Sequence, residues 1–125
     1  MKTHVFLLNL IVLTFWGCEH RLVMEDKTVC ILYELQNGDG FRIDGSNQPG
    51  TAQPLCFVVG HQEVILGIDK AVVGMKIGES KTVKILPEDG YGKRGLHYKD
   101  HFGKTVILAK PNDTLSVWIQ IERIR

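Results

Sequence analysis

Residues 54–92 read PLCFVVGHQEVILGIDKAVVGMKIGESKTVKILPEDGYG, and this stretch decides the fold. It opens with an apolar run, LCFVV at 55–59, which is typical of a strand and ends at Gly60. From 64 to 75 the apolar positions repeat with helical spacing and predict one amphipathic face, made of Val64, Ile68, Ala71, Val72 and Met75. Alternation returns at 79–86 (ESKTVKIL), so the stretch predicts a strand, a helix and a strand in succession.

Strand patterns flank this stretch on both sides. Residues 27–35 (KTVCILYEL) are rich in β-branched and aromatic types, and 41–44 (FRID) follow the turn signal NGDG at 37–40. Near the C-terminus four apolar residues alternate with polar ones, and we expect their face in the core: Leu115, Val117, Ile119 and Ile121. We therefore predict an α+β domain, a twisted antiparallel β-sheet wrapped around one short α-helix.

The first 17 residues form a separate segment. Lys2 precedes an apolar run, VFLLNLIVLTFW at 5–16, and Gly17 follows it. A basic start, a short apolar run and a small residue predict a secretory signal peptide, because a membrane span needs about 20 residues. A buried N-terminal helix or strand is the alternative. We expect 18–26 to act as a tether and 27–125 to form the domain.

Cys18 lies directly after the small residue that ends the apolar run. This arrangement resembles the lipobox of bacterial lipoproteins, in which the cysteine takes a diacylglycerol and the leader is cut before it. The resemblance implies lipidation of Cys18 and a location at the periplasmic side of a bacterial membrane, held there by the acyl chains. An ordinary cleaved signal, giving a soluble periplasmic or secreted protein, is the alternative.

Composition and spacing bear on partners and metals. The chain has 125 residues and a net charge of +1, so it lacks the strong basic field of a nucleic-acid-coating protein, and we expect no nucleic-acid partner. His97 and His101 have helical spacing, but two nitrogens make a poor site without a third ligand, so we expect no metal site. Cys30 and Cys56 lie on predicted strands, and the sequence leaves open whether they form a disulfide in an oxidising compartment.

Three pieces of the chain carry a family resemblance: YELQNGDGFRIDGS at 33–46, the stretch 54–92, and PNDTLSVWIQIERI at 111–124. In this order they resemble FKBP-type peptidyl-prolyl cis-trans isomerases of the compact bacterial form. The resemblance implies an FKBP-like fold and acceleration of X-Pro bond rotation in proline-containing, unfolded or partly folded polypeptides. It implies no cofactor, and we expect a monomer. Residues 93–110 stand where the family has its flap, and they are too few for an inserted chaperone domain.

The family motifs carry over residue by residue. They imply catalytic roles for Tyr33, Asp44, Ile65 (through its backbone N–H) and Tyr91. They imply substrate binding by Ile43, Leu55, Phe57, Val64, Ile68 and Val117. Four of these are aliphatic at positions where family members often have aromatic rings, so we expect reduced activity: Ile43, Leu55, Ile68 and Val117.

The reaction itself requires little chemistry from side chains. An X-Pro bond rotates slowly because its partial double-bond character imposes a barrier of roughly 18–20 kcal/mol. An apolar pocket that removes water favours the less dipolar, twisted state. A non-catalytic chaperone or peptide-binding module on the same fold is the alternative function. In the flap, Tyr98 and Phe102 either face solvent and grip unfolded chains or pack on the domain.

Overall fold

Seven strands and one α-helix make up the part of the chain that the computed structural model describes, residues 21–46 and 53–125. In chain order the elements are β1 (Thr28–Gln36), β2 (Arg42–Gly45), β3 (Leu55–Val58), α1 (Leu66–Val72), β4 (Ser80–Ile85), a 3-10 turn (Pro87–Asp89), β5 (Leu96–Lys99), β6 (Thr105–Ala109) and β7 (Leu115–Ile124). No helix among these described residues is both long enough and apolar enough to cross a membrane.

The main sheet is organised around β1. Along one edge, residues 29–36 of β1 pair with β7, which in turn pairs with β4. The other edge of β1 is shared, because residues 28–31 pair with β3 and residues 34–36 pair with β2. All these pairings are antiparallel. The antiparallel sheet with one short helix confirms the predicted α+β architecture.

The inward faces of the two longest strands form the floor of the core. On β7 the four residues predicted to face inward are each no more than 1% exposed: Leu115, Val117, Ile119 and Ile121. On β1 the alternating residues Val29, Ile31 and Leu35 are equally buried. Burial of an aliphatic side chain contributes about 1.5–3 kcal/mol, so these paired faces supply much of the stabilisation of the sheet.

Helix α1 is shorter than the predicted 64–75. It spans Leu66–Val72, and it ends because Val73 is extended and Gly74 takes a positive φ of 81°. Ile68 and Val72 face the core as predicted. A side chain at Gly67 would collide with the Ile85 side chain, since an added Cβ would lie 2.5 Å from it. Glycine at this position therefore lets the helix lie directly against β4.

The chain before β1 is already part of the packed structure at Val23. The Val23 side chain is 1% exposed, its N–H donates to the Met75 carbonyl at 2.8 Å, and its carbonyl accepts from Gly74 N–H at 2.8 Å. Leu22 forms an isolated antiparallel bridge with Lys76. The second half of the predicted tether thus packs against the end of the helix, while the predicted leader and Cys18 lie outside the described residues.

Cys30 and Cys56 are joined by a disulfide, which answers the question the sequence left open. The two residues lie directly opposite each other in the register of β1 and β3. Cys30 is 1% exposed, and Arg123 Nη2 approaches its sulfur at 3.7 Å. The bond therefore fixes β3 to the centre of the sheet.

The flap contains a β-hairpin that the sequence pattern did not predict. Strands β5 and β6 pair antiparallel, and Leu96 and Ala109 at its base contact the core. Tyr98 is 51% exposed and Phe102, in the connecting turn, is 95% exposed. Of the two alternatives for these aromatics, the structure shows them facing solvent.

Candidate active site

Tyr33 and Asp44 are brought together by the pairing of β1 with β2. The Tyr33 hydroxyl donates to Asp44 Oδ2 at 2.8 Å, and Asp44 Oδ1 accepts from Gly45 N–H at 2.8 Å. The Tyr33 backbone is bracketed by Ser46, whose hydroxyl accepts from Tyr33 N–H at 2.9 Å and whose N–H donates to Tyr33 O at 3.0 Å. Both carboxylate oxygens of Asp44 are therefore oriented, and the phenol has one defined direction.

Tyr91 lies close enough to Asp44 for the negative charge of Asp44 to act on it. It follows the 3-10 turn, where Gly90 N–H and Gly92 N–H both donate to the Pro87 carbonyl, at 3.1 and 2.9 Å. Burial raises the pKa of Tyr91, and the negative charge of Asp44 raises it further. Burial likewise raises the pKa of Tyr33 well above its usual range, with its hydrogen bond to Asp44 as the second cause. Both hydroxyls therefore remain protonated donors at neutral pH.

Ile65 offers a backbone donor at the entrance to α1. Its backbone is extended, with φ −56° and ψ 144°, and its carbonyl accepts from Ile68 N–H at 3.0 Å and Asp69 N–H at 3.2 Å. Within residues 21–46 and 53–125 its own N–H has no hydrogen-bond acceptor. Unpaired N–H groups at a helix start seek an acceptor, which a substrate carbonyl can supply.

Two carboxylates that sequence reasoning did not assign hold the loop in front of Ile65. Asp69, on α1 and only 4% exposed, accepts from Gly60 N–H at 2.7 Å and from Gln62 N–H at 3.4 Å. The Glu63 side chain accepts from Val58 N–H. The sequence feature that could have indicated Asp69 is an acidic residue in the first turn of a helix that follows a glycine turn. The same pattern also fits an ordinary solvated acid, so it does not single out this residue.

The apolar residues assigned to the pocket differ in accessibility. Those that belong to the buried core are Phe57 and Ile68, each 3% exposed, and Val117, which is fully buried. Those that pack against the core and keep partial exposure are Ile43, Leu55, Val64 and Ile65. Val117 has no accessible surface, so the structure places it beneath the pocket wall. The partly exposed group supplies the apolar surface that a substrate can reach.

The arrangement suits a reaction that makes and breaks no covalent bond. It includes two neutral phenolic donors, one backbone N–H with no acceptor in the described part of the chain, and aliphatic side chains packed against the core. No group of three or more His, Cys, Asp or Glu side chains within the described ranges has a spacing suited to a metal ion. Such a site can bind an extended chain, remove water from it and hold its carbonyl oxygens.

Comparison with known proteins identifies the family. Residues 19–121 match the family model of FKBP-type peptidyl-prolyl cis-trans isomerases. This chain therefore belongs to the FKBP-type peptidyl-prolyl cis-trans isomerase family. The match covers the helix, the flap hairpin and the sheet except the last three residues of β7, so all the residues assigned to the site lie within it.

Individual relatives come from archaea, bacteria and fungi. A short-type peptidyl-prolyl cis-trans isomerase of Methanocaldococcus jannaschii is 55% identical over 34% of this chain and 27% of its own length. The FKBP-type isomerase SlyD of Haemophilus influenzae is 33% identical over 56% of this chain and 35% of its own. FK506-binding protein 2 of Aspergillus fumigatus is 45% identical over 46% and 42%. The chain thus spans less than half the length of each of these relatives.

Proposed function

We propose that this chain is a peptidyl-prolyl cis-trans isomerase acting on proline-containing, unfolded or partly folded polypeptides. The observation that carries the proposal is the Ile65 N–H, which has no acceptor among the described residues and directly follows Val64, a partly exposed aliphatic residue packed against the core. In this role the N–H binds a substrate carbonyl and orients the prolyl ring against the apolar surface. The relatives named as isomerases support the same activity.

Two groups of residues act on the substrate in this proposal: one removes water from the prolyl amide, and the other orients the substrate. Ile43, Leu55 and Val64 exclude water from the prolyl amide, which disfavours its dipolar, planar form. The Tyr91 hydroxyl donates to a substrate carbonyl oxygen, and the Tyr33–Asp44 pair presents a fixed polar edge. Lowering the barrier by about 1.4 kcal/mol accelerates rotation tenfold, so a few such contacts suffice for substantial catalysis.

The test is an exchange measurement on a short X-Pro peptide. We expect cis and trans signals to exchange faster in NMR when the purified protein is added at micromolar concentration. A protease-coupled assay provides an independent rate. No acceleration in either assay would overturn the enzymatic proposal, whether or not the peptide binds.

A non-catalytic peptide-binding module is the second candidate. It is favoured by one observation, the aliphatic character of the partly exposed Ile43 and Leu55, which leaves few ring surfaces for a proline to stack on. The two candidates separate in one experiment, because a binding module shifts the peptide resonances without changing the exchange rate between cis and trans.

We further propose that the protein is exported and lipid-anchored through Cys18, and that it assists the folding of exported proteins. The sequence around 5–18 supports the export signal and the anchor. The Cys30–Cys56 disulfide supports an oxidising compartment such as the periplasm. Mass spectrometry of the mature N-terminus tests the proposal: a diacylglyceryl-modified Cys18 supports it, and an unmodified chain retaining residues 1–17 overturns it.

A further inference from the structure

The flap hairpin, residues 93–110, differs in charge from the rest of the chain. It has five basic residues and one acid, Asp100, whereas the remainder has ten basic and thirteen acidic residues. Lys110 forms an ion pair with Asp39 at 3.3 Å. The other four basic side chains are exposed and have no ion-pair partner within the described parts of the chain: Lys93, Arg94, Lys99 and Lys104.

The turn of this hairpin presents an aromatic ring outward on an ordered loop. Asp100 Oδ1 accepts from Phe102 N–H and from Lys104 N–H, both at 2.9 Å, and Gly103 N–H donates to the Asp100 carbonyl at 3.0 Å. Asp100 is thereby engaged inside the turn. Phe102 is left 95% exposed, with Ile107 60% exposed on β6.

This combination fits a lipid surface better than a folded or extended polypeptide. Because Phe102 is 95% exposed, a partner that binds the ring would have to supply nearly all of its environment, which a fluid bilayer interface does. Aromatic and aliphatic side chains favour the headgroup boundary, and each nearby Lys or Arg adds attraction to anionic lipid. The positive charge excess of the hairpin is complementary to a negatively charged surface.

We propose that the flap hairpin docks onto an anionic lipid bilayer, with the Phe102 ring in the headgroup region and the exposed side chains of Lys93, Arg94, Lys99 and Lys104 at lipid phosphates. This interaction is distinct from the isomerase site and from the proposed anchor on Cys18. It would hold the hairpin side of the domain against the membrane.

The direct test places a reporter at the turn. The full chain with Phe102→Trp is reconstituted into vesicles of phosphatidylcholine alone, or of phosphatidylcholine with 30 mol% phosphatidylglycerol. The matched control is Phe41→Trp, because Phe41 is 70% exposed and lies outside the hairpin. Wild-type protein supplies the background from Trp16 and Trp118. Any contribution of the N-terminal apolar segment is common to all three proteins.

We expect the Phe102→Trp emission to shift to the blue on the anionic vesicles and to return in high salt, while Phe41→Trp stays unshifted. Adding Lys99→Gln and Lys104→Gln to the Phe102→Trp chain should lower the insertion equilibrium about fivefold for each charge removed. The control pair Lys76→Gln and Lys84→Gln, exposed but outside the hairpin, should leave it unchanged.

Three outcomes would overturn the proposal. The first is an unshifted Phe102→Trp emission on anionic vesicles, and the second is an equal shift on neutral vesicles or at Phe41→Trp. The third is a shift caused only by an acidic, proline-free unfolded polypeptide, which would assign the turn to protein binding. Since Phe102 makes almost no contacts, none of these results can be attributed to misfolding of the variant.

Discussion

The hydroxyl of Tyr33 on β1 donates to Asp44 Oδ2 on β2 at 2.8 Å, across a strand pair whose register shifts between Leu35 and Gln36. The bond joins two residues that are 11 positions apart in the chain. It fixes the direction of a phenol that is only 8% exposed and places a negative charge close enough to act on Tyr91.

Replacing either member of this pair should lower activity by a similar amount. We expect Tyr33→Phe and Asp44→Ala each to lower kcat/KM about fivefold to tenfold, as for loss of one hydrogen bond worth about 1 kcal/mol. The double variant should lose little more than either single one, because both remove the same interaction. Tyr98→Phe, which removes an exposed hydroxyl, is the control. Losses that multiply in the double variant would show that the two residues act separately.

The raised pKa values of Tyr33 and Tyr91 predict a loss of stability in alkali. The folded state holds each proton more tightly than the unfolded state, whose tyrosines ionise near pH 10. The contribution is therefore complete below about pH 10 and is lost as the pH rises toward the folded-state pKa. Urea unfolding from pH 8 to pH 11 should show a steeper fall for wild type than for Tyr33→Phe or Tyr91→Phe. Parallel curves for all three proteins would contradict this prediction.

Asp69 should control the loop that presents the Ile65 N–H. Asn at this position keeps one acceptor but directs an NH₂ group toward a backbone N–H, so we expect Asp69→Asn to lower the free energy of unfolding by about 1–3 kcal/mol. The Gly60 and Gln62 amides should gain more in exchange rate than those of β7, whose protection falls only by the loss in global free energy of unfolding. Glu122→Gln, at an exposed carboxylate, is the matched control. Unchanged exchange at Gly60 would remove Asp69 from this role.

Reduction of the Cys30–Cys56 disulfide should destabilise the domain. Closing a loop between residues 26 positions apart restricts the unfolded chain, which corresponds to about 3 kcal/mol of stabilisation. We expect a reductant to lower the urea midpoint of wild type and to leave the double variant Cys30→Ala/Cys56→Ala unaffected. An equal midpoint with and without reductant in wild type would show that the bond adds no stability.

The sequence predicted the core better than the site. Core burial follows from patterns among neighbouring residues, whereas the site depends on contacts between residues that are distant in the chain. Alternation in β7 and helical spacing around Ile68 are local patterns, and burial follows from them directly. The Tyr33–Asp44 bond depends on which strand pairs with β1, which no local pattern specifies. The family resemblance supplied those residues because it encodes the pairing implicitly.

The sequence analysis missed other features for two reasons. Either the residues that contact them lie far away in the chain, or their hydrophobic pattern is weak. From the sequence alone, Asp69 fits a solvated acid on a helix. Only the folded structure shows that it accepts hydrogen bonds from the amides of Gly60 and Gln62. Val23 reads as part of a tether, because only the folded chain brings Gly74 and Met75 beside it. The flap hairpin contains basic and aromatic residues without clear alternation, so its strands did not emerge from periodicity.

The bridge between Leu22 and Lys76 limits how far the folded domain can lie from Cys18. Only four peptide units separate Cys18 from Leu22, and an extended chain covers at most about 3.6 Å per residue, so their reach is about 14 Å. A lipidated Cys18 would therefore hold the folded domain close to the membrane surface and restrict its movement away from it. With the proposed anchor in place, polypeptides would have to come to the membrane surface to reach the proposed site.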